Sequence, residues 1–322
     1  MKEQIIRIME QHRGSFVSGE ELSRRLDVSR TAVWKHIAAL REDGYEFEAV
    51  PKRGYRLVQV PERLRPERIR ELLRTTTLGH TLHVYDTLDS TQTKAHELVA
   101  QGAQEGTLVI ADRQTAGRGR MGRVWHSPPG AGIYMSLILK PRIPLQFTPQ
   151  LTLLAAVALC RAIVRIARVP VGIKWPNDLL IGGKKICGIL LESSAEDERL
   201  RYIVAGMGIG VNLLPDDYPP ELRSIATSLA IEAGHRFERE VLIAAVLEEF
   251  EALYKLYDEQ GFGPIRSLWE ANSASLNRPV RVRTAQGELE GIAESLDDSG
   301  GLNVRLADGT MTKIFSGEVE LR

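Results

Sequence analysis

Apolar positions recur at helical spacing through the N-terminal part of the chain, and an alternating pattern follows them. Ser18 is placed to form a capping box with Glu21, in which each side chain bonds a free backbone amide of the other residue. After a two-residue turn, Ser29 is placed to cap a second helix. Residues 45–50 then alternate apolar and polar side chains, as a strand does, and a basic turn leads into a returning strand. The pattern predicts a winged helix-turn-helix domain over residues 1–60.

The middle of the chain mixes short apolar runs with longer helical patterns. A proline- and charge-rich stretch at residues 61–66 predicts a joint, and helices are expected over residues 153–166 and 241–256. Shorter apolar runs predict strands, and residues 202–213 are expected to form one strand that glycines interrupt. Strands grouped beside segregated helices predict an α+β domain with a mixed sheet over residues 66–272.

From about residue 276 the apolar period changes to two. Short strands are predicted here, and turns rich in glycine and aspartate separate them at residues 298–301 and 308–309. We therefore predict a small β-barrel over residues 276–322. The predicted strands are residues 280–283, 287–292, 302–306 and 312–315.

Composition places few limits on this picture. The chain has 322 residues and a formal net charge of zero, so any binding of nucleic acid must come from a local surface. Cys160 and Cys187 lie inside apolar runs, which favours buried free thiols in a reducing cytoplasm over a disulfide or a metal site. The apolar run at residues 151–159 is too short to cross a bilayer, and the N-terminus has no export signal. A cytoplasmic protein without membrane contacts is expected.

The outer face of the helix that Ser29 caps and the tip of the hairpin carry cations and polar donors. DNA binding needs cations on both elements, because phosphates flank the groove on two sides. A charged face that is merely solvated is the alternative. Residues 1–60 hold eleven lysines and arginines against nine aspartates and glutamates, so modest affinity for a single DNA site is expected. The residues predicted to contact DNA are Ser29, Arg30, Thr31, Trp34, Lys35, Lys52 and Arg53.

Glycines alternate with arginines over residues 114–125, which read Gln-Thr-Ala-Gly-Arg-Gly-Arg-Met-Gly-Arg-Val-Trp. Glycine lets the backbone approach a ligand closely, and arginine offers paired donors for a carboxylate or a phosphate. A flexible linker has a similar composition, but apolar runs at residues 108–111 and 133–139 place this segment between two buried strands. The segment lacks both the lysine ending of a phosphate-binding P-loop and the following helix of a dinucleotide fingerprint.

Two lysines flank a predicted hairpin farther along the chain. Lys174 and Lys185 are expected to converge with the arginines of the loop, although a lysine at a strand end is commonly only a surface residue. Because no carboxylate partner is visible nearby in the sequence, the cations favour an anionic ligand. Trp125 and Trp175 either belong to the core or cover a ligand.

The sequence shows neither a catalytic triad nor a cluster of metal ligands. Cations and amides without a protein nucleophile are typical of phosphoryl or adenylyl transfer, which depends on positioning and charge stabilisation. The histidines in the central region are interpreted as isolated structural or surface residues; they are His83, His96 and His126.

Three motifs in order resemble the signature of biotin protein ligases. They are residues 117–125, the run Lys174-Trp175-Pro176-Asn177-Asp178, and residues 185–190. With a winged helix ahead and a β-barrel behind, nearly the whole chain resembles the bifunctional bacterial form, which is both ligase and repressor of the biotin operon. The resemblance implies a central domain like the class II synthetases and a C-terminal SH3-like β-barrel.

The resemblance also implies two half-reactions. The biotin carboxylate attacks the α-phosphate of ATP, which Mg²⁺ accompanies, and biotinyl-5′-AMP and pyrophosphate form. A lysine of biotin carboxyl carrier protein, from acetyl-CoA carboxylase, then takes the biotinyl group, and other biotin carboxylases remain open as acceptors. Operator DNA is the second implied partner, and the adenylate-bound protein is expected to be a homodimer.

Individual roles follow from the match to the family motifs. Catalytic roles fall on Lys185, Arg118 and Asp178, of which Asp178 is placed to accept a proton from the incoming amine. Met121 stands where many relatives carry arginine, so one phosphate contact is expected to be absent. The implied biotin site consists of Ser90, Thr91, Gln92, Gln114, Arg118, Gly119, Arg120, Lys185 and Gly188. The implied nucleotide site consists of Arg120, Arg123, Trp125, Lys174, Asn177 and Asn212.

Two other interpretations remain. A regulator that senses biotin without catalysis would not need Lys185 or Arg118, both of which are present. A lipoate or octanoate transferase of related fold would lack the Gly-Arg-Gly-Arg segment. Isotope exchange between pyrophosphate and ATP, run with biotin and with lipoate, distinguishes the three.

Overall fold

The structure is a computed structural model that describes residues 1–12, 14–42, 45–59, 63–196, 199–284 and 287–322. Contacts between residues divide the chain into two units, Met1–Arg63 and Leu64–Arg322. The predicted joint at residues 61–66 lies partly outside the described residues, because residues 61 and 62 fall in a gap.

The first unit is a winged helix-turn-helix, as predicted. Ser18 Oγ accepts a hydrogen bond from the Glu21 amide at 3.0 Å, and Ser29 Oγ accepts one from the Ala32 amide at 3.1 Å. Asp27 adopts a left-handed conformation with φ of 53°, which ends the first helix of the pair and turns the chain. Elements of this unit are α1 (Lys2–Gln11), α2 (Gly19–Leu26), α3 (Arg30–Glu42), β1 (Glu46–Val50) and β2 (Gly54–Gln59).

A seven-stranded mixed sheet forms the centre of the second unit. Its order is β3-β4-β5-β9-β8-β7-β6, in which β3 and β4 are parallel and the other pairs are antiparallel. The strands are β3 (Leu82–Leu88), β4 (Leu108–Gln114), β5 (Gly132–Leu139), β6 (Gly172–Lys174), β7 (Asp178–Ile181), β8 (Lys184–Glu196) and β9 (Arg199–Gly210).

Helices cover both faces of this sheet, and side chains alternate between the two faces along each strand. One helix, α5, packs with Val109, Ile138 and Val204 on one face, where Ala95 is fully buried. Helices α6, α8 and α9 pack on the opposite face and contribute to the main core. The helices are α4 (Pro66–Leu72), α5 (Thr91–Ala100), α6 (Thr148–Ala167), α7 (Leu229–Ala233), α8 (Arg239–Gln260) and α9 (Phe262–Ala271).

Two features of the central region differ from the sequence-based expectation. β9 runs without interruption to Gly210, because its glycines provide room above the sheet and do not bend it. A Cβ on Gly206 would lie 2.6 Å from Gln92 Oε1, and one on Gly208 would lie 2.5 Å from the Trp125 ring. Helix α9 was not predicted, because Gly263 and Pro264 in its first turn conceal the start of the pattern.

The C-terminal region forms an antiparallel SH3-like sheet of order β13-β12-β11-β10-β14. Its predicted strands are present, and a further strand, β14, was not predicted. Val280 and Val282 join the core of the central region, so this sheet packs against that region. The strands are β10 (Arg278–Thr284), β11 (Gly287–Leu296), β12 (Leu302–Leu306), β13 (Met311–Ile314) and β14 (Glu318–Leu321).

Among the described residues, one helical segment, Leu145–Ala167, is long and apolar enough to cross a membrane. Most of its apolar stretch is buried inside the protein against α8, α9 and the sheet. This burial is typical of a core helix, and the segment is therefore weak support for a membrane span.

Two adjoining cavities beneath the glycine- and arginine-rich loop

The glycine- and arginine-rich segment connects β4 to β5, two largely buried strands, as its flanking apolar runs predict. The segment folds back on itself, because the Gly119 amide donates to the Arg123 carbonyl at 2.7 Å and the Trp125 amide donates to the Gly117 carbonyl at 2.9 Å. A Cβ on Gly117 would lie 2.6 Å from the Trp125 carbonyl oxygen, so a larger residue does not fit there.

A small cavity of about 50 Å³ lies between the start of α5, the loop and strands β8 and β9. The structure brings all nine residues of the predicted biotin site to its wall: Ser90, Thr91, Gln92, Gln114, Arg118, Gly119, Arg120, Lys185 and Gly188. Ser90 also caps α5 by accepting a hydrogen bond from the Gln92 amide at 3.2 Å. Capping and lining are therefore both roles of this serine.

Hydrogen bonds connect the polar side chains of the small cavity. Ser136 Oγ lies 2.9 Å from both Thr91 Oγ1 and Gln92 Oε1, and Gln114 Oε1 accepts from the Thr91 amide at 2.8 Å. The sequence analysis missed Ser136. The feature of the sequence that could have identified Ser136 is a single hydroxyl within the apolar run of β5. A buried polar group without a hydrogen-bond partner is costly, so such a hydroxyl is expected to contact a ligand or a network of polar side chains.

A larger cavity of about 700 Å³ adjoins the first and extends toward the C-terminal sheet. Five of the six residues of the predicted nucleotide site line it: Arg120, Arg123, Trp125, Lys174 and Asn177. Asn212 is not on its wall. The Asn212 amide is buried and bonds the backbone of Phe237 through both its oxygen and its nitrogen, at 2.9 Å each. A nucleotide contact by Asn212 stays a prediction.

The sequence analysis also missed two groups of side chains on the larger cavity. Both come from segments distant in sequence from the loop, and the fold alone brings them together. The apolar group is Leu213, Tyr218, Leu222 and Ile225, and the charged group from the C-terminal sheet is Arg281, Arg283, Glu318 and Glu320.

The two cavities share part of their walls. The shared residues are Gly119, Arg120, Trp125, Asn177 and Lys185. The Trp125 ring lies directly on the sheet, since a Cβ on Gly188 or Gly208 would approach it to 2.8 or 2.5 Å. Lys185 Nζ is 5.4 Å from the centre of that ring, within the range of a cation–π contact. Trp175, by contrast, is a core residue and donates its indole N–H to the Gly300 carbonyl at 3.2 Å.

Arg118, Arg120, Arg123 and Lys185 have carboxylate or amide partners, so the expectation that the cations of the site lack carboxylates was wrong for three of them. Lys185 Nζ lies 2.6 Å from Asp178, Arg118 Nη2 lies 2.6 Å from Glu192, and Arg123 pairs with Glu318. Arg120 donates to Asn177 Oδ1 at 2.8 Å, and burial lowers the pKa of Arg120 below its usual value. These partners are far away in sequence or across a hairpin, which is why the sequence did not show them.

The described residues contain no group of three or more histidine, cysteine, aspartate or glutamate side chains able to hold a metal ion. Cys160 and Cys187 are buried free thiols, and burial raises the pKa of Cys160 to about 11 and that of Cys187 still further. Neither thiol is placed to act as a nucleophile.

The predicted DNA-contacting side chains lie on the surface of the first unit. They are exposed at the start of α3 and at the tip of the wing: Ser29, Arg30, Thr31, Trp34, Lys35, Lys52 and Arg53. Phe16, which the sequence analysis missed, lies beneath the wing, with the guanidinium carbons of Arg53 and Arg56 at 4.4 and 4.9 Å from its ring centre. Trp34 is 59% exposed, although tryptophan is ordinarily well buried.

Models of known protein families match three parts of the chain. Residues 84–212 match the biotin/lipoate A/B protein ligase family, residues 2–56 match an HTH domain, and residues 275–322 match the biotin protein ligase C-terminal domain. The central region thus has the architecture of the biotin and lipoate protein ligases.

Full-length relatives narrow the class further. The chain is 49% identical to the bifunctional ligase/repressor BirA of Bacillus subtilis strain 168, over 100% of this chain and 98% of the relative. It is 31% identical to the bifunctional ligase/repressor BirA of Escherichia coli K12, over 96% and 94% of the two chains. A structure of the Aquifex aeolicus biotin protein ligase in complex with biotin and ATP superimposes with a TM-score of 0.66 at 30% identity, covering 76% of this chain and 99% of that one. This chain belongs to the biotin protein ligases, in their bifunctional form that combines a ligase with a DNA-binding repressor.

Proposed function

We propose that biotin binds in the small cavity and ATP in the larger one, so that the biotin carboxylate meets the α-phosphate at the shared wall. The observation that supports this arrangement is the set of residues common to both cavities, which includes Arg120 and Lys185. The carboxylate oxygen forms a bond to the α-phosphorus, the bond to pyrophosphate breaks, and biotinyl-5′-AMP remains.

Charge stabilisation is the main catalytic contribution in this proposal. Lys185 exchanges its contact with Asp178 for the carboxylate and α-phosphate oxygens, while Arg118 and Arg120 neutralise the charge that develops on them. In the second step the amine of the acceptor lysine attacks the acyl carbon, and AMP leaves. Asp178 is then free of Lys185 and accepts the amine proton.

The small cavity must widen to admit biotin. Its volume of about 50 Å³ is well below the ~300 Å³ at which ligand pockets usually begin. The loop that covers the small cavity includes Trp125, whose ring fills the space above Gly188 and Gly208. We infer that the loop and this ring move when the ligand enters and then close over it.

Magnesium enters this proposal as part of the MgATP substrate. Oxygen donors suit Mg²⁺, and Glu318 and Glu320 line the larger cavity. The ion neutralises charge on the transferring phosphates.

We infer that a strand edge next to the site serves protein partners. Among the described residues, β7 pairs with β8 only as far as Gly188, so the outer edge of β8 beyond Ile189 has no neighbouring strand. Free backbone donors and acceptors at such an edge favour strand addition. We propose that the adenylate-bound homodimer uses this edge and that the carrier domains of acetyl-CoA carboxylase, and of other biotin carboxylases, compete for it.

We further propose domain boundaries of 1–60, 66–272 and 276–322 and a location in the cytoplasm. The separate hydrophobic core of the N-terminal unit supports the first boundary. The buried free thiols fit a reducing compartment.

Exchange of labelled pyrophosphate into ATP tests the reaction. The proposal expects exchange that depends on biotin and is absent with lipoate. Exchange with lipoate in place of biotin would point to a lipoate enzyme. No exchange with either acid would identify a biotin sensor without catalysis.

The position of the Trp125 ring leads to a further prediction. Gly208→Ala places a Cβ 2.5 Å from that ring and must displace it, so we expect kcat/KM for biotin to fall about 10²-fold. Gly263→Ala in α9 is the matched control, because a Cβ there meets nothing within 4 Å. Steady-state exchange kinetics measure the effect, and thermal melting checks the fold. Equal kinetics for both variants would contradict the assignment of Trp125 to the shared wall.

A further inference from the structure

Glu192, on β8, contacts the loop from outside the predicted site. Its Oε1 accepts a hydrogen bond from Arg118 Nη2 at 2.6 Å, and both side chains are partly exposed. Arg118 lines the small cavity, whereas Glu192 does not. An internal carboxylate therefore holds a guanidinium that, in the proposed function, binds the ligand.

The other oxygen of Glu192 faces a histidine. His96 Nε2 lies 3.2 Å from Glu192 Oε2, and His96 Nδ1 lies 3.1 Å from the Tyr202 hydroxyl. His96 belongs to α5, the helix whose first residues line the small cavity. His96 is therefore not isolated, because a chain of contacts joins it through Glu192 to Arg118.

We propose that Glu192 is a positioning residue that competes with the ligand for Arg118. In the empty protein it holds the guanidinium at the rim of the cavity, and it releases the guanidinium when the biotin carboxylate or the acyl-phosphate arrives. This inference rests on the proposed role of Arg118. A ligand that must displace an internal partner binds more weakly, because breaking the existing contact reduces its net affinity.

In the proposal, His96 takes up a proton when Arg118 moves from Glu192 to the ligand. Among the described residues, Glu192 contacts the side chains of Arg118 and His96, so His96 remains as its partner when Arg118 leaves. The carboxylate of Glu192 has then lost its guanidinium partner, and its negative charge favours the protonated form of His96. Conversely, a protonated His96 attracts Glu192 and weakens its hold on Arg118 in the empty protein. Both effects have the same sign, so the proposal expects ligand binding to take up a proton and to be tighter at lower pH.

Other charged groups near His96 do not reverse this sign. On α5, Lys94 and Glu97 pair with each other at 2.9 Å, and Lys94 also lies over the Tyr85 ring. From β9 the Tyr202 hydroxyl faces His96, and from β8 Glu192 does. Glu192 is thus the acidic group in contact with the imidazole.

Calorimetry of biotin binding to the full chain tests the competition. Glu192→Gln keeps the shape of the side chain but removes its charge, and we expect biotin to bind about two- to fivefold more tightly, the range of a partly exposed ion pair. Glu196→Gln is the matched control, since Glu196 lies on the same strand and pairs with Arg201 at 2.9 Å. Unchanged or weaker binding by a Glu192→Gln variant with normal thermal melting would overturn the proposal.

A double-mutant cycle separates this inference from the role of Arg118. If Arg118→Gln leaves biotin affinity unchanged, the ligand role of Arg118 is wrong and the competition fails with it. If Arg118→Gln weakens binding, the proposal expects Glu192→Gln to have no effect in that background. Tightening that persists without Arg118 would overturn the competition alone.

Proton uptake on biotin binding is a second and independent measurement of the proposal. Calorimetry in the pH range where histidine changes charge, run in two buffers of different ionisation enthalpy, should show net proton uptake for the wild type and less for His96→Gln. Equal uptake by the two proteins would exclude His96 as the group that takes the proton.

Discussion

Lys185→Ala is expected to reduce biotin-dependent exchange between pyrophosphate and ATP by about 10²- to 10³-fold, the usual loss when a charge-stabilising donor is removed. Lys185 lies on the wall that both cavities share, where the two substrates are proposed to meet. The side chain is one-third exposed and contributes little to packing, so the fold should survive.

A neighbouring residue supplies the control for this prediction. Lys184 stands beside Lys185 at the start of β8 but is exposed and lines neither cavity. Lys184→Ala should retain exchange at the wild-type rate. Exchange close to normal in Lys185→Ala, or an equal loss in both variants, would show that the shared wall is not the reaction centre.

Removal of residues 1–63 is expected to abolish operator binding. All the predicted DNA-contacting side chains lie in this unit, and the unit has its own core around Ile5, Leu22, Val33 and Ile37. Binding should fall below detection in gel-shift titrations, because the remaining chain would lack the helix and wing that contact phosphate on both sides of the groove.

The same truncation tests whether the second unit folds and forms the adenylate without the first unit. Separate cores predict that a single turnover of adenylate formation continues at a rate close to that of the full chain. Retained operator binding would refute the assignment of the DNA surface. Loss of adenylate formation in a folded truncated protein would show that the N-terminal unit supports the ligase site, and the proposed boundary would then be wrong.

Local patterns in the sequence were sufficient for much of this fold. The side-chain caps by Ser18 and Ser29, and the loop between two buried strands, depend on residues close together in the chain, and each is present. Of the predicted capping box only the Ser18 half forms, because the Glu21 side chain pairs with Arg25 at 2.7 Å. Resemblance to the family motifs predicted the nine residues of the biotin site, and the structure brings all nine to the wall of the small cavity.

What the sequence did not show arises from tertiary structure. Glu192 pairs with Arg118, and Glu318 with Arg123, across long separations that periodicity does not report. Ser136 lines the small cavity from inside an apolar strand, where a lone hydroxyl is easily assigned to the core. Each of these contacts forms only when the sheet is assembled.

We propose that ligase chemistry controls the repressor through the adenylate. One winged helix of slight net charge should bind a half-site weakly, so strong repression requires two copies joined. In this proposal the loop becomes ordered around the adenylate before the copies pair, which would lower the entropy lost on pairing. Unmodified carrier protein should reverse repression by consuming the adenylate.

Footprinting of an operator with two half-sites tests this claim most directly. We expect biotin plus ATP to tighten binding by ~1 to 3 kcal/mol for the wild-type chain and to leave Lys185→Ala unaffected. Equal occupancy by the wild type with and without the two substrates, or a full response by Lys185→Ala, would contradict it.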